Sequence, residues 1–276
     1  MEKSFTIETL LADDLKYILG LTPVGWYDVT PLYELHLNQD YFFPIKLVVE
    51  NTVIGVGELI INGKNGWLGN IIVSKDFRNQ GLGKKLTKRL IDIANDNGCE
   101  SIYLLATPLG KSVYQKLGFH EKGQYLFFEK GEKNIALPEN NSSTNIIPYE
   151  EIFRNQIFEL DKKAIGEDRS KVLAMEVEQS FVYKKPNENK ISGFFIPTLG
   201  DGVIICNNTI AGFEFLQKRE TLGKKRIIVP EECTAIVDLL MQNKYTHFRV
   251  ATFMYLGEMK KWNPEMVYSR IGGFLG

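Results

Sequence analysis

The stretch Gly69-Asn70-Ile71-Ile72-Val73-Ser74-Lys75-Asp76-Phe77-Arg78-Asn79-Gln80-Gly81-Leu82-Gly83-Lys84-Lys85-Leu86 decides the reading of this chain. Its first five residues run as a strand. Leu82, Leu86, Leu90 and Ala94 then recur at four-residue spacing, which is one apolar stripe of a helix, and Gly98 stands where a left-handed cap would end it. Between strand and helix lies Arg-Asn-Gln-Gly-Leu-Gly. Main-chain amides converging on a helix N-terminus bind phosphate, because the helix dipole adds partial positive charge there. Gly81 and Gly83 remove Cβ atoms that would hold phosphates away, and Arg78 and Lys84 add charge. The stretch predicts a phosphate cradle. It is not a Walker loop, since Arg78 stands where the first glycine is needed and Lys85 replaces Ser or Thr. Nor is it a dinucleotide fingerprint, which would need glycine at Leu86.

Outward from the cradle the first half reads as mixed α/β. Phe5 to Leu10 alternates like a strand, Leu11 to Leu19 and Pro31 to Leu37 are helical, and Lys46 to Glu50 is β-rich. Thr52 to Ile61 and Trp67 to Val73 form a hairpin around Asn62-Gly63-Lys64-Asn65-Gly66. A hairpin centred on Lys64 sets Glu58 across from Asn70, on the sheet face opposite Trp67. Downstream, Ser101 to Ala106 is a buried-type strand, Thr107 caps a helix with Pro108 in its first position, and Phe119 to Lys130 returns as a strand.

The polar run 139–145 marks a linker, giving domains at 1–135 and 148–276 joined by 136–147. The second half repeats the order strand-strand-helix-strand-helix-strand: Ile191 to Leu199, Val203 to Asn207, Ile210 to Arg219, Arg226 to Val229, Cys233 to Asn243 and Phe248 to Tyr255. A formal net charge of −1 gives no basis for a nucleic-acid or membrane partner. Cys99, Cys206 and Cys233 are too scattered for a disulfide framework, and His36, His120 and His247 form no metal pattern, so no metal is expected. With neither a secretory signal nor a long apolar run, the expected compartment is the cytoplasm. Oligomeric state is not legible.

The loop from Arg78 to Gly83 resembles the Arg/Gln-x-x-Gly-x-Gly/Ala signature of the GNAT acetyltransferases, and Val113-Tyr114-Gln115-Lys116-Leu117-Gly118-Phe119 resembles their second landmark. That resemblance covers residues 3–131. Gly25-Trp26, Ala106-Thr107-Pro108-Leu109-Gly110, Leu160-Asp161, Gly166-Glu167-Asp168-Arg169-Ser170 and Met254-Tyr255-Leu256-Gly257 resemble bacterial tandem GNAT proteins of the YitH type. It implies an α/β (α+β) fold of two GNAT-like domains, each a mixed, mostly antiparallel sheet flanked by helices.

The resemblance also implies acetyl-CoA as co-substrate and direct attack of a primary amine, on a small molecule or protein, on its thioester. By position, Ile71 and Val73 would pair with the pantetheine arm and a backbone N–H near Ile72 would steady the oxyanion. Arg78, Asn79, Gln80, Gly81, Leu82, Gly83 and Lys84 would hold the pyrophosphate, with Thr107 and Lys111 adding to the cofactor site. Tyr114 would protonate the leaving thiolate. Trp67 stands where some members carry a basic Glu, which leaves Glu58, Asp28 and His36 as candidate bases, Glu58 foremost. Leu105 replaces an acidic residue of many tandem relatives. Trp26, Tyr27 and Asp28 are candidate substrate residues; Trp26, Tyr27, Phe194 and Phe195 could line a pocket between the domains, although core packing suits most of them. In the second half only Gly212 remains of the glycine pair, and Leu240 falls where Tyr114 was, so that half is expected not to catalyse. The rival reading is a non-catalytic acyl-CoA-binding regulator; an RNA-modifying enzyme lacks the basic patches it would need.

Overall fold

The structure is a computed structural model that describes residues 4–23, 26, 28–131 and 145–275. Tyr27 and most of the expected linker lie outside the described residues. The chain folds as two compact units: residues 1–121 with 254–259 and 275, and residues 122–253 with 260–274 and 276. The units therefore interleave in sequence.

The first unit contains β1 (Phe5–Thr9), α1 (Ile18–Leu21), α2 (Thr30–His36), β2 (Phe42–Val49), β3 (Thr52–Asn62), β4 (Asn65–Val73), α3 (Leu82–Asp96), β5 (Ser101–Ala106) and α4 (Pro108–Gln115). β1 to β4 form an antiparallel meander in which β4 then pairs with β5 in parallel. α3 lays Leu82, Leu86, Leu90 and Ala94 against this sheet, as the four-residue stripe requires, in a core that includes Leu47, Leu59, Leu68 and Ile102. Met254, near the end of the last long strand, is buried in the same core. Ser101 Oγ donates to the carbonyl of Glu258, and the following segment thus belongs to this unit.

The second unit follows with β6 (His120–Lys130), β7 (Ile146–Pro148), α5 (Arg154–Ile165), α6 (Ser170–Ala174), β8 (Phe181–Tyr183), β9 (Gly193–Ile196), β10 (Val203–Cys206), α7 (Thr209–Thr221), β11 (Arg226–Pro230), α8 (Thr234–Gln242), β12 (Tyr245–Gly257) and β13 (Val267–Ser269). The repeated element order is present: β3-β4-α3-β5-α4-β6 is matched by β9-β10-α7-β11-α8-β12. α5 lies outside that repeat. It carries Asp161, buried and ion-paired with Arg169 at 2.5 Å. Phe194 and Phe195 are fully buried within the unit. Cys206 and Cys233 are buried, Cys99 is half-buried, and all three are free thiols. No described helix is long and apolar enough to cross a membrane.

Candidate active site

β4 and β5 pair only at their beginnings, Asn65–Trp67 against Ser101–Tyr103, after which β4 runs on to Val73 and β5 to Ala106. The parallel strands part there, and a bulge in β4 assists: three steps from Gly69 to Ile72 oppose two from Glu58 to Val56. Asn70, inside that step, has a φ of 45°. The backbone of Ile71, Ile72 and Val73 thus lies on a strand end beyond the ladder to β5.

After Val73 a single 3-10 turn, Lys75–Phe77, leads to the cradle. Arg78 folds back, Nε donating to the Val73 carbonyl at 3.0 Å. Asn79 and Gly81 are left-handed, with φ of 63° and 73°. α3 then starts with no side-chain cap, so the N–H groups of its first turn have neither a cap nor an intrahelical acceptor. A Cβ at Gly83 would meet only Val73 Cγ2, at 3.9 Å, so protein packing does not demand glycine there. Gln80, Gly81 and Lys84 are exposed, Leu82 is buried as the helix's first core contact, and Thr87 Oγ1 bonds the Gly83 carbonyl at 2.8 Å. α4, by contrast, is capped, with Thr107 Oγ1 accepting from Gly110 N at 3.3 Å. Lys111 on α4 is paired with Glu121 at 2.7 Å.

Tyr114 lies on α4 with its ring over Gly110 and edge-on to Phe119 at 6.0 Å. Burial pushes its phenol up to about 12, so it holds its proton at neutral pH. Glu58 is fully buried, and its carboxyl is raised to about 7 by that burial, opposed by Tyr33 and Asn70. The register corrects one expectation. Glu58 is opposite Gly69, not Asn70, and it shares the sheet face of Trp67, since Trp67 pairs with Ile60. The turn is Gly63-Lys64 between Asn62 and Asn65, one step from the centre expected, which slips every pair. Asn70 still reaches Glu58 because the bulge re-aims it, with Nδ2 to Oε1 at 2.6 Å.

The other candidates are otherwise engaged. Asp28 Oδ1 accepts from Thr30 N at 2.9 Å and Thr30 Oγ1 at 2.6 Å, an Asx turn at the start of α2. His36 is completely buried beside Tyr41, Nδ1 to hydroxyl 2.9 Å, and burial lowers its pKa to about 4. Trp26 is half-buried. Tyr33, enclosed next to Glu58, was not singled out by the sequence, because an aromatic on an amphipathic helix reads as core.

Comparison with known proteins bears on this geometry. The profile of the acetyltransferase (GNAT) family matches residues 11–119. A protein of Bacillus subtilis subsp. natto described as a candidate spermine N(1)-acetyltransferase is 32% identical over 105 residues, which are 34% of this chain and 68% of that protein. The chain belongs to the GNAT acetyltransferase family. An uncharacterised N-acetyltransferase of Bacillus subtilis strain 168, YitH, is 24% identical over 229 residues, 79% of each chain. A candidate glucosamine 6-phosphate N-acetyltransferase of Oryza sativa subsp. japonica is 33% identical over 81 residues, 27% of this chain; the chain spans about half (49%) of that relative's length. Among solved structures, a candidate acetyltransferase of Pyrococcus horikoshii superposes with a TM-score of 0.84 at 21% identity over 99% of this chain and 96% of that one, a likeness of fold.

GNAT proteins draw acetyl groups from acetyl-CoA; in the second unit the stretch that corresponds by element order to the strand gap of the first is built differently. β10 and β11 hold the places that β4 and β5 hold in the first unit. β13 fills the gap: it pairs with β10 through Ile204–Ser269 and Ile205–Val267, and Arg270 N donates to the Ile228 carbonyl of β11 at 3.0 Å. α7 is closed by its own cap, Asn208 Oδ1 accepting from Ile210 N at 2.9 Å and Ala211 N at 3.2 Å. A Cβ at Gly212 would collide with the Tyr268 ring, so this surviving glycine serves packing. Lys244 takes a left-handed φ of 62° where Gly118 has 91°, and Leu240, in the place of Tyr114, is a buried core residue.

Proposed function

We propose that this chain transfers acetyl from acetyl-CoA to a primary amine by direct attack on the thioester, using one site, in the first unit. The observation that carries the reading is the uncapped N-terminus of α3 at the end of a strand that has parted from its parallel neighbour. The first-turn amides of α3, with Gly81 and Gly83 keeping side chains away, would hold the pyrophosphate; the charge of Arg78 and Lys84 supports them. The strand end Ile71–Val73 would take the pantetheine arm by backbone pairing, with an amide near Ile72 turned to the oxyanion. Acetyl-CoA supplies an acetyl group already activated as a thioester. Glu58, buried but with a carboxyl poised near neutrality, would accept the ammonium proton of the acceptor through an intervening water, which frees the nitrogen lone pair for attack. As the carbon–sulfur bond breaks, Tyr114 would protonate the departing thiolate. The names of two curated relatives support an amine acceptor, since they point to spermine and to glucosamine 6-phosphate. Residues of α2 and the segment before it, including Trp26 and Asp28, are proposed to face that acceptor.

Calorimetric titration with acetyl-CoA tests the reading. We expect one site per chain, abolished by Gly81→Glu. Amine-dependent release of free CoA, assayed across polyamines and amino sugars, should fall about 100-fold in Tyr114→Phe while acetyl-CoA affinity stays within a factor of two. Absence of acetyl-CoA binding would remove the proposal, and a second site would mean that β13 does not close the second cleft.

A further inference from the structure

Glu58 is held by one side chain and adjoined by a second, and the mechanism above gives neither a part. The bulge in β4 gives Asn70 its φ of 45° and lays its amide on Glu58 Oε1 at 2.6 Å. Tyr33, on α2, is near enough to influence the same carboxylate, and its ring is edge-on to Phe42 at 5.5 Å. The Tyr33 hydroxyl and Glu58 Oε2 are both enclosed without a hydrogen bond of ordinary geometry. Enclosed polar atoms without partners call for an explanation, and the handling of a proton is one that fits a carboxyl beside a phenol.

Among the described residues, none adds a competing charge to Glu58 at close range. β2 sets Pro44 opposite Glu58, and Lys46, opposite Val56, is engaged by Asp14 at 2.8 Å and Glu8 at 3.7 Å. β4 carries no ionisable residue, and α1 carries none. α3 lies on the other face, where Leu86 and Leu90 approach Gly55 and Gly57. On α2, one turn past Tyr33, His36 is bonded to Tyr41 and stays neutral above about pH 4.

We propose that Asn70 is the positioning residue for Glu58, with Tyr33 lending the carboxylate further support: the Asn70 amide fixes Oε1, so that Oε2, which has no hydrogen-bond partner among the described residues, is the oxygen that takes the acceptor's proton. This rests on the reading of Glu58 as the base. In the step, an N–H bond of the acceptor ammonium breaks as its proton passes to an intervening water, that water gives one of its own protons to form an O–H bond on Oε2, and the nitrogen keeps the electron pair. Both neighbours stabilise the charged carboxylate, so losing either raises the pH at which Glu58 ionises.

The test is a carbon-13 NMR titration of protein labelled at the glutamate carboxyl carbons, with the Glu58 signal assigned by its loss in Glu58→Gln. The wild-type midpoint is expected at about 7. Asn70→Gly should raise it by about one pH unit and Tyr33→Phe should move it the same way. Glycine accepts a positive φ, so the bulge and the fold survive removal of the amide. The acidic limb of kcat/KM, measured with an amine the wild-type chain acetylates, should move in step. An unmoved Glu58 midpoint in Asn70→Gly, with turnover lost in Glu58→Gln, would overturn the positioning role alone. Full turnover in Glu58→Gln would overturn the base and, with it, this inference.

Discussion

The phenol of Tyr114 rests on Gly110, where a Cβ would stand 2.9 Å from Cε2 and 3.4 Å from the hydroxyl. A methyl group at 110 must therefore push the ring aside, although alanine suits the helix better than glycine. Gly110→Ala is expected to lower kcat on the order of tenfold or more through misplacement of the proposed acid, with acetyl-CoA affinity nearly unchanged. Steady-state kinetics of the single and double variants check this. Combined with Tyr114→Phe, Gly110→Ala should add nothing further, since both act on one hydroxyl; an additive loss would place Gly110 in some other role. The place of Tyr114 on α4, just before Gly118, was legible in the sequence because Tyr-Gln-Lys-Leu-Gly-Phe carries a family spacing. Gly110 was visible only as part of a motif, since what a glycine leaves room for depends on a ring that folds back four residues. Asn70 was placed on the wrong register because the turn was centred one step off, and its contact with Glu58 survives only through a bulge for which simple alternation contains no term.

At the scale of elements, the run β3-β4-α3-β5-α4 was readable because each piece has a local cause: turn residues at Gly63-Lys64, a leucine stripe on α3, and Thr107-Pro108 at the head of α4. α1 was less so; it begins as a 3-10 turn over Ala12–Tyr17, where Asp14 both bonds Leu11 N at 2.8 Å and meets Lys46 across the unit. The contrast between α3 and α7 separates a helix start left open from one that is closed. It also gives the two glycines of the cradle different tasks. Gly81 is required by its left-handed backbone, whereas Gly83 is required by nothing in the protein. Gly83→Ala should then keep or slightly raise the melting temperature, the helix gaining up to about 1 kcal/mol. Its acetyl-CoA dissociation constant should rise roughly tenfold, equivalent to about 1.4 kcal/mol, because a methyl group stands where phosphate oxygens approach the amides. Differential scanning fluorimetry with calorimetry separates the two effects. Equal affinity in Gly83→Ala would show that the ligand does not come close to residue 83.

At the scale of the whole molecule, the sequence suggested a single cut near residue 140, and the compact units do not follow one. Local pattern could not reveal this, because the returning segment 254–259 is an ordinary strand end whose partners lie some 150 residues earlier in the chain: Ser101 bonds the Glu258 carbonyl, and Gly257, at a φ of 90°, meets the carbonyl of Glu100. The plug formed by β13 was hidden for the same reason, as its pairing with β10 depends on a loop closure that composition does not encode. Interleaving carries an energetic consequence. Removing the buried Met254 from the first unit's core costs about 2–5 kcal/mol by itself, and loss of Leu256 and the Ser101 bond adds to it. Against a typical domain stability of about 5–15 kcal/mol, that is enough to unfold a small domain or leave it marginal. A fragment of residues 1–131, which holds every proposed catalytic and acetyl-CoA-binding residue, is therefore expected to show no cooperative thermal transition near that of the full chain and no measurable acetyl-CoA binding. Adding residues 245–276 in trans should restore part of both. Should the fragment bind acetyl-CoA as tightly as the intact chain, the returning strand would be a covering for the first unit and not a member of its core.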